Sequence, residues 1–270
     1  MSFLTVRDGA LEYFRAGELA VPNAFSTRLG GISTGALSSL NLGVHRGDRP
    51  GAVLENWRRL SKSVGFDWKR TVFTHQIHTD RVRVVGGADC GRGLLFPAGD
   101  CDGLITGTPG IALAVFSADC TLILLSDPIT GAVGAVHAGW RGTALGIARR
   151  AVERMQAELG CNPGDIRAAI GPCIDRCCFE TRADVPRAML AALGDDALPA
   201  IDDHGDGRYH VDLKELNSIW LRRAGVRQIS VSCRCTACET ERFWSHRRAG
   251  EARGVQAAVI VCPERKEQPQ

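Results

Sequence analysis

The sequence lacks a long apolar run, a block of like charge and an abundance of aromatic residues. Its longest apolar stretch, residues 111–125, is interrupted by Ser117, Asp119 and Thr121, so the sequence predicts no membrane-spanning helix. Aromatic residues make up 6% of the 270 residues, and the formal net charge of +3 comes from interleaved acids and bases. Nucleic-acid-binding proteins usually gather their basic residues on one stripe or arm. We therefore expect neither a membrane protein nor a nucleic-acid partner.

The amino terminus also lacks the apolar core of a secretory signal peptide, because an acidic residue occurs early. Hydrophobic residues make up 44% and charged residues 23%, which is the balance of an ordinary globular protein. The eleven cysteines are odd in number, and a chain of this length buries enough core without disulfides. These features predict a cytoplasmic protein with free thiols, one or two of which bind metal.

Hydrophobic periodicity predicts an α+β (mixed α/β) fold, a layered sandwich with a mixed β-sheet. Strands are predicted within residues 71–85, on both sides of the polar step in 111–125, and at 132–137, 166–170, 229–232 and 256–261. Helices are predicted at residues 50–64, 143–159 and 212–224, the last with Asp212 as its N-cap. Because no repeat or linker divides the sequence, we expect a single domain over residues 1–263 and a polar tail over residues 264–270.

Potential metal ligands gather in three segments, HQIH at 75–78, SADC at 117–120 and HAGWRG at 137–142. If the first segment is extended, its side chains alternate, so Gln76 and His78 share a face and only one of the two histidines reaches a common site. One such histidine, Cys120 and His137 would make a three-ligand zinc site with an open position. The alternative for Cys120 is a small buried hydrophobic residue.

The HAGWRG segment is typical of a strand, a turn and the start of a helix. Arg141 and the free N–H groups of the helix N-terminus would then suit a phosphate group. The alternative is a buried His137 bonded to a backbone carbonyl, with Arg141 on the surface.

The segment CRCTAC at 233–238 invites a zinc-finger interpretation. A structural zinc site needs four ligands, and no second Cys-x-x-Cys lies at finger spacing. We therefore expect a thiol cluster without metal in this loop, and we find no partner for Cys177 and Cys178.

The chain resembles the laccase-domain or polyphenol-oxidase (YfiH-like) family from about residue 21 to residue 261, and the matching segments occur in one order along it. The segments that carry the resemblance are FSTRLGGIS at 25–33, SLNLGVHRGD at 39–48, HQIHTDRV at 75–82, CDGLIT at 101–106, SADCTLILL at 117–125, VHAGWRG at 136–142, AAIGPCI at 168–174, CTAC at 235–238 and FWSHRR at 243–248. The combination of HAGWRG with SADC upstream is the most specific part.

The resemblance implies a single-domain α/β sandwich and a zinc-dependent enzyme that cleaves adenosine, inosine and methylthioadenosine with phosphate and also deaminates adenosine. Carried over residue by residue, its zinc ligands are His78, Cys120 and His137. Arg141 would hold phosphate, and Asp119 or another carboxylate would carry a proton. The matching motifs also nominate further substrate- or phosphate-binding residues, which are Arg28, Asn41, Gln76 and Arg247.

Two alternatives to a nucleoside enzyme remain open, and a third is excluded by ligand supply. A multicopper oxidase needs on the order of ten histidines in His-x-His pairs, whereas this chain has seven histidines. A cysteine hydrolase of wrongly built peptidoglycan precursors could use Cys120 as nucleophile and His137 as base. A binding module without enzymatic activity has less support, and the sequence leaves the oligomeric state undetermined.

Overall fold

The computed structural model describes residues 3–91 and 97–264. Within them, helices and strands follow one another with mostly short connections. Apart from Glu264, the predicted polar tail lies outside the described residues. The strands are β1 Phe3–Asp8, β2 Leu11–Ala16, β3 Asn23–Ser26, β4 Thr71–Phe73, β5 Val82–Val84, β6 Gly103–Thr106, β7 Ala112–Ser117, β8 Thr121–Ser126, β9 Val133–Ala138, β10 Arg167–Ile170, β11 Glu180–Thr181, β12 Ile201–Asp203, β13 Tyr209–Val211, β14 Gln228–Val231 and β15 Gln256–Val261. The α-helices are α1 Pro50–Val64, α2 Trp140–Ala144, α3 Ile147–Leu159, α4 Asp184–Leu193, α5 Leu213–Arg223 and α6 His246–Ala249.

Two six-stranded sheets form the centre of the fold. The first has the order β1-β2-β3-β15-β7-β4 and the second the order β14-β10-β8-β9-β6-β5, while β11-β13-β12 form a small third sheet. Most neighbours are antiparallel, but β4 is parallel to β7, β5 to β6 and β10 to β14. Both large sheets are therefore mixed, as the sequence predicts.

The fold has four layers, which are α1, the first sheet, the second sheet and the helices α3 to α5, and an apolar cluster fills each space between neighbouring layers. The middle cluster packs Phe14 and Val115 of the first sheet against Leu124 of the second. A second cluster packs Trp57 of α1 against the outer face of the first sheet. A third packs α3, α4 and α5 on the outer face of the second sheet and includes the fully buried Met155. The predicted layered α/β sandwich is confirmed.

Two predicted helices form with nearly the predicted bounds. Helix α1 begins at Pro50, whose fixed φ suits the first turn, and ends at Val64, where Gly65 with φ +89° caps it. Helix α5 follows Asp212, whose carboxylate accepts the Glu215 N–H at 3.0 Å as an N-cap. The predicted helix over residues 143–159 is instead broken into α2 and α3, because Gly146 has φ +76°.

Two of the chain's passages between the two large sheets lie close together near one end of the sandwich. Residues 74–81 lead from β4 in the first sheet to β5 in the second, and residues 118–120 lead from β7 to β8.

Among the described residues, no helix combines the length and hydropathy needed to cross a membrane.

Candidate functional site

Cys120 and His137 come together because their strands are neighbours. Strand β8 pairs with β9 so that Thr121 lies opposite Ala138 and Leu122 opposite His137. Cys120 immediately precedes β8 and therefore lies beside His137, which is buried. The residue before it, Asp119, has φ +100°, and this turns the chain from one sheet to the other.

His78 reaches the same place from the other passage between the sheets, and not from a strand. The chain leaves β4 after Phe73, and His78 adopts a left-handed conformation with φ +62°. The predicted alternation of Gln76 and His78 along a strand is therefore wrong as an explanation. Three consecutive backbone N–H groups of this loop, from Ile77, His78 and Thr79, donate to the Asp102 carboxylate at 3.2, 3.0 and 2.8 Å.

Asp102 connects the loop to His137. Its Oδ1 accepts the Nδ1–H of His137 at 2.9 Å, and its Oδ2 also accepts the Thr79 hydroxyl at 2.9 Å. Burial opposes ionisation, but the hydrogen bonds from His137 and Thr79 lower the pKa of Asp102 to about 2. An ionised carboxylate can only accept, so Nδ1 of His137 carries a proton, and Nε2 is the atom that a metal would take in exchange for its proton. A histidine oriented by a carboxylate in this way is characteristic of metal sites.

The donor atoms of His78, Cys120 and His137 all lie within 4.8 Å of one another. The two imidazole rings are nearly perpendicular, with centroids 4.9 Å apart. A Cβ on Gly139 would lie 2.9 Å from His78 Cδ2 and 3.1 Å from Cys120 Sγ. The group therefore has the size of a site for one metal ion, and it depends on a glycine behind it.

The charges of the three side chains support one another. Burial raises the pKa of a thiol, but the positive charge and hydrogen bonds of His137, with those of His78, prevail and lower the pKa of Cys120 to about 6. Burial likewise opposes charge on His137, yet the Cys120 thiolate and the Asp102 carboxylate raise the pKa of His137 to about 9. The thiolate that a metal requires is thus already favoured in the free chain.

A cleft of about 280 Å³ opens over the three donors. Its other lining residues are Gly43, Val44, His45, Arg46, Phe73, Thr74, His75, Gln76, Pro97, Phe116, Ser117, Ala118, Arg253 and Val255. Surface grooves of about 780 and 840 Å³ lie elsewhere, and none of the three donor residues lines either of them. The smaller cleft is therefore the candidate functional site, near the lower end of the range for small-molecule sites.

Of the residues nominated for substrate or phosphate, Gln76 lines this cleft. Its side-chain amide pairs with the backbone of Phe116, donating from Nε2 at 2.7 Å and accepting at Oε1 at 2.6 Å. Asn41 does not line the cleft. It is fully buried and bonds the backbone of Gly43 and Val255, which do.

The three nominated arginines lie outside the cleft lining. Arg28 stacks on Trp244 at 3.9 Å and donates to the carbonyls of Ser38 and Thr240. Arg247 donates to the carbonyls of Cys178 and Glu180. Arg141 is exposed, with its guanidinium 4.4 Å from the ring of Trp140. Arg28 and Arg247 therefore hold loops together in the structure.

Asp119 is buried, and its carboxylate accepts hydrogen bonds from residues 236–247. Its Oδ1 accepts the Thr236 hydroxyl at 2.6 Å, and its Oδ2 accepts the Ser245 hydroxyl at 3.0 Å and the Arg247 N–H at 2.7 Å. Asp119 does not line the cleft, and both of its oxygens are engaged in these hydrogen bonds, so its predicted role as a proton carrier stays a prediction.

Sequence reasoning missed Asp102 and Arg253. Asp102 lies in CDGLIT, where an acidic residue directly before a strand could have been examined as a partner for a histidine. Arg253 lies just before Gly254, and only the structure shows that this buried guanidinium faces the cleft. The expectation that Cys177 and Cys178 lack a partner is also wrong, because both lie beside Cys235 and Cys238.

Known proteins of similar sequence cover nearly the whole chain. A protein of Deinococcus radiodurans named purine nucleoside phosphorylase is 42% identical over 259 residues, with 96% of each chain covered. Purine nucleoside phosphorylase YlmD of Geobacillus stearothermophilus is 39% identical over 240 residues, which cover 87% of this chain and 88% of that relative.

Solved structures extend the similarity to the fold. The crystal structure of YlmD from Geobacillus stearothermophilus has a TM-score of 0.92 at 36% identity and covers 97% of this chain and 100% of its own. That of the hypothetical protein YfiH from Bacillus licheniformis has a TM-score of 0.89 at 34% identity, covering 94% and 97%. Residues 22–263 match the family described as multi-copper polyphenol oxidoreductase laccase. With its motifs, its fold and its relatives in agreement, the chain belongs to this laccase-like, YfiH-related family.

Proposed function

We propose that this protein is a zinc-dependent purine nucleoside phosphorylase, which cleaves adenosine, inosine and methylthioadenosine with phosphate and deaminates adenosine as a side activity. The observation that carries the proposal is the meeting of three metal-ligand side chains and two arginines in one cleft. Relatives up to 42% identical are named purine nucleoside phosphorylases, which supports the phosphorolysis.

Zn²⁺ is the metal that suits this donor set, with one ion bound by His78, Cys120 and His137. One thiolate and two imidazoles are preferred zinc ligands, and three protein ligands leave a position open. Bound zinc would supply a Lewis acid at the floor of the cleft. We expect no multicopper oxidase centre, since seven histidines cannot supply the ligands of four coppers.

Arg46 and Arg253 are better placed for phosphate than Arg141. Arg253 is buried, and burial together with the charge of Arg46 lowers its pKa. Glu251 partly compensates this pair by accepting from Arg46 at 2.9 Å. An anion in the cleft would relieve the remaining repulsion through charge-assisted hydrogen bonds.

The nucleoside would occupy the rest of the cleft. Val44, Phe116 and Val255 supply an apolar wall for the flat base. In the reaction, the bond between C1′ and the purine nitrogen breaks, a phosphate oxygen forms the new bond to C1′, and the leaving base takes up a proton. His75 is the proton carrier that we favour, because it lines the cleft and its Nδ1 bonds Asp100 at 2.8 Å.

The decisive assay incubates the protein with adenosine or inosine, with and without phosphate, and separates the products. We expect free base and ribose-1-phosphate only with phosphate, and some inosine from adenosine without it. Arg253→Met should raise the phosphate requirement about ten- to a hundredfold, as loss of a charge-assisted contact worth about 1.5–3 kcal/mol. Arg141→Ala is the matched control, and a larger effect there would place the anion at the 139–142 turn instead.

A cysteine hydrolase is the second candidate, because the lowered pKa of Cys120 beside His137 is also that of a nucleophile. A zinc-bound thiolate is not free to attack, so the two functions compete for one sulfur. Release of an amine from a peptidoglycan-precursor amide by metal-free protein, without release of base from nucleosides, would establish the hydrolase.

A further inference from the structure

Four thiols outside the cleft converge from two loops distant in sequence. Strands β10 and β14 are parallel neighbours, so the loops that follow them leave the same edge of the sheet. The first loop carries Cys177 and Cys178, and the second carries Cys235 and Cys238. All four Sγ atoms lie within 4.8 Å of one another.

The spacing of the sulfurs fits a tetrahedral metal centre. The Sγ–Sγ distances are 3.4 Å for Cys178–Cys238, 3.6 Å for Cys177–Cys238 and 3.8 Å for Cys177–Cys178. Four sulfurs about 2.3 Å from a central zinc are about 3.8 Å apart, whereas a disulfide joins its sulfurs at about 2.05 Å. A group of four thiols is typical of zinc or of iron in sulfur coordination.

Hydrogen-bond donors face two of the four sulfurs. The Asp175 N–H donates to Cys235 Sγ at 3.4 Å, and Nη2 of Arg248 lies 3.5 Å from Cys178 Sγ. Between Cys235 and Cys238 the chain forms a tight turn, in which the Cys238 N–H donates to the Cys235 carbonyl at 3.3 Å. Four thiolates and one divalent ion carry two net negative charges, which the guanidinium of Arg248 partly balances.

We propose that Cys177, Cys178, Cys235 and Cys238 bind a second, structural Zn²⁺. Each thiol releases its proton to solvent as the ion binds. Cys177 and Cys238 are exposed, so the ion can enter from solvent, and four protein ligands leave no open position for catalysis. The sequence-based expectation of a thiol cluster without metal is replaced by this assignment.

The position of this zinc gives it a structural task. Next to Cys235, the Thr236 hydroxyl bonds the Asp119 carboxylate at 2.6 Å, and the Ile174 N–H donates to the Asp119 carbonyl at 2.8 Å. Joining the two loops therefore holds two of the partners of Asp119, the residue before Cys120. The zinc would brace the 118–120 passage without touching the cleft.

Elemental analysis of reduced, purified protein tests the proposal. We expect two zinc ions per wild-type chain and one in Cys238→Ser. Cys233→Ser is the matched control, since this neighbouring exposed cysteine is outside the cluster, and it should keep both ions. Cys120→Ala, which removes a cleft ligand, should keep the ion of the four-cysteine cluster even if the proposed function is wrong.

X-ray absorption of the Cys120→Ala protein keeps the test decisive if Cys238→Ser fails to fold. Four sulfur neighbours around zinc support the proposal, and cobalt substitution of the same protein should give the strong thiolate-to-metal absorption of four sulfur ligands. Iron in place of zinc, a Cys178–Cys238 disulfide found by mass spectrometry of unreduced protein, or a metal-free Cys120→Ala protein would each overturn it.

Discussion

Replacing Asp102 by asparagine probes how the cleft prepares its metal ligands. The buried carboxylate accepts hydrogen bonds at both oxygens, from His137 and His78 at Oδ1 and from Ile77 and Thr79 at Oδ2. Asparagine has one acceptor oxygen and one amide group that donates. In either orientation of the asparagine side chain, its NH₂ group would replace one acceptor oxygen and would face N–H donors of the protein.

The expected cost follows from these contacts. Lowering the pKa of Asp102 from its ordinary 3.8 to about 2 corresponds to about 2 kcal/mol of stability for the metal-free fold. This contribution is present above the ordinary pKa and is lost as the pH falls from about 4 towards 2. Because the variant also leaves buried donors unpaired, we expect a loss of about 3–5 kcal/mol in the free energy of unfolding. Metal affinity should fall about ten- to a hundredfold, because a neutral amide orients the His137 ring less firmly than the carboxylate does.

Urea unfolding of metal-free protein and chelator competition for zinc measure the two quantities separately. Asp127→Asn is the matched control, because Asp127 is also buried and accepts backbone N–H groups from Ile129 and Thr130 in a turn. It should leave zinc affinity unchanged. If folded Asp102→Asn protein bound zinc as tightly as the wild type, the assignment of Asp102 as the residue that orients His137 would be refuted.

Three further predictions concern other parts of the molecule. Gly139→Ala should lower zinc occupancy, measured by elemental analysis, because its Cβ would lie 2.9 Å from His78 Cδ2; Gly51→Ala, with open space around the new methyl, is the control and should not. In metal-free protein, alkylation of Cys120 followed by mass spectrometry should rise with pH around a midpoint near 6, and a midpoint near 9 would contradict the pairing with His137. Asp212→Ala should cost about 1 kcal/mol in thermal unfolding through loss of the N-cap, and an unchanged Tm would argue against that role.

The sequence alone predicts the helices and strands whose ends carry local signals. Pro50 and Gly65 mark α1, Asp212 marks the start of α5, and the apolar residues 256–261 coincide with β15. The break at Gly146 escapes such reasoning, because the helical period continues through it while the backbone does not. The pairing of strands in sheets is likewise not a local property.

The candidate site shows the same contrast between residues that a sequence motif predicts and residues that only the fold brings together. Family motifs nominate His78, Cys120 and His137, and the structure places these three together. Charged residues were harder to assign, because an arginine in a motif can bind either a ligand or its own backbone. Arg28 does the latter, and its nearest partner in sequence lies ten residues away, too far for a local pattern to show.

The two passages that carry His78 and Cys120 would give a bound ion a mechanical role. An ion held by His78 and Cys120 would tie residues 74–81 to residues 118–120, two connections that both lead from the first sheet to the second. Removing the ion would then loosen these two connections, with amide hydrogen exchange rising in residues 74–81 and 118–120. The ion would thus set the stiffness of this end of the sandwich as well as the chemistry of the cleft.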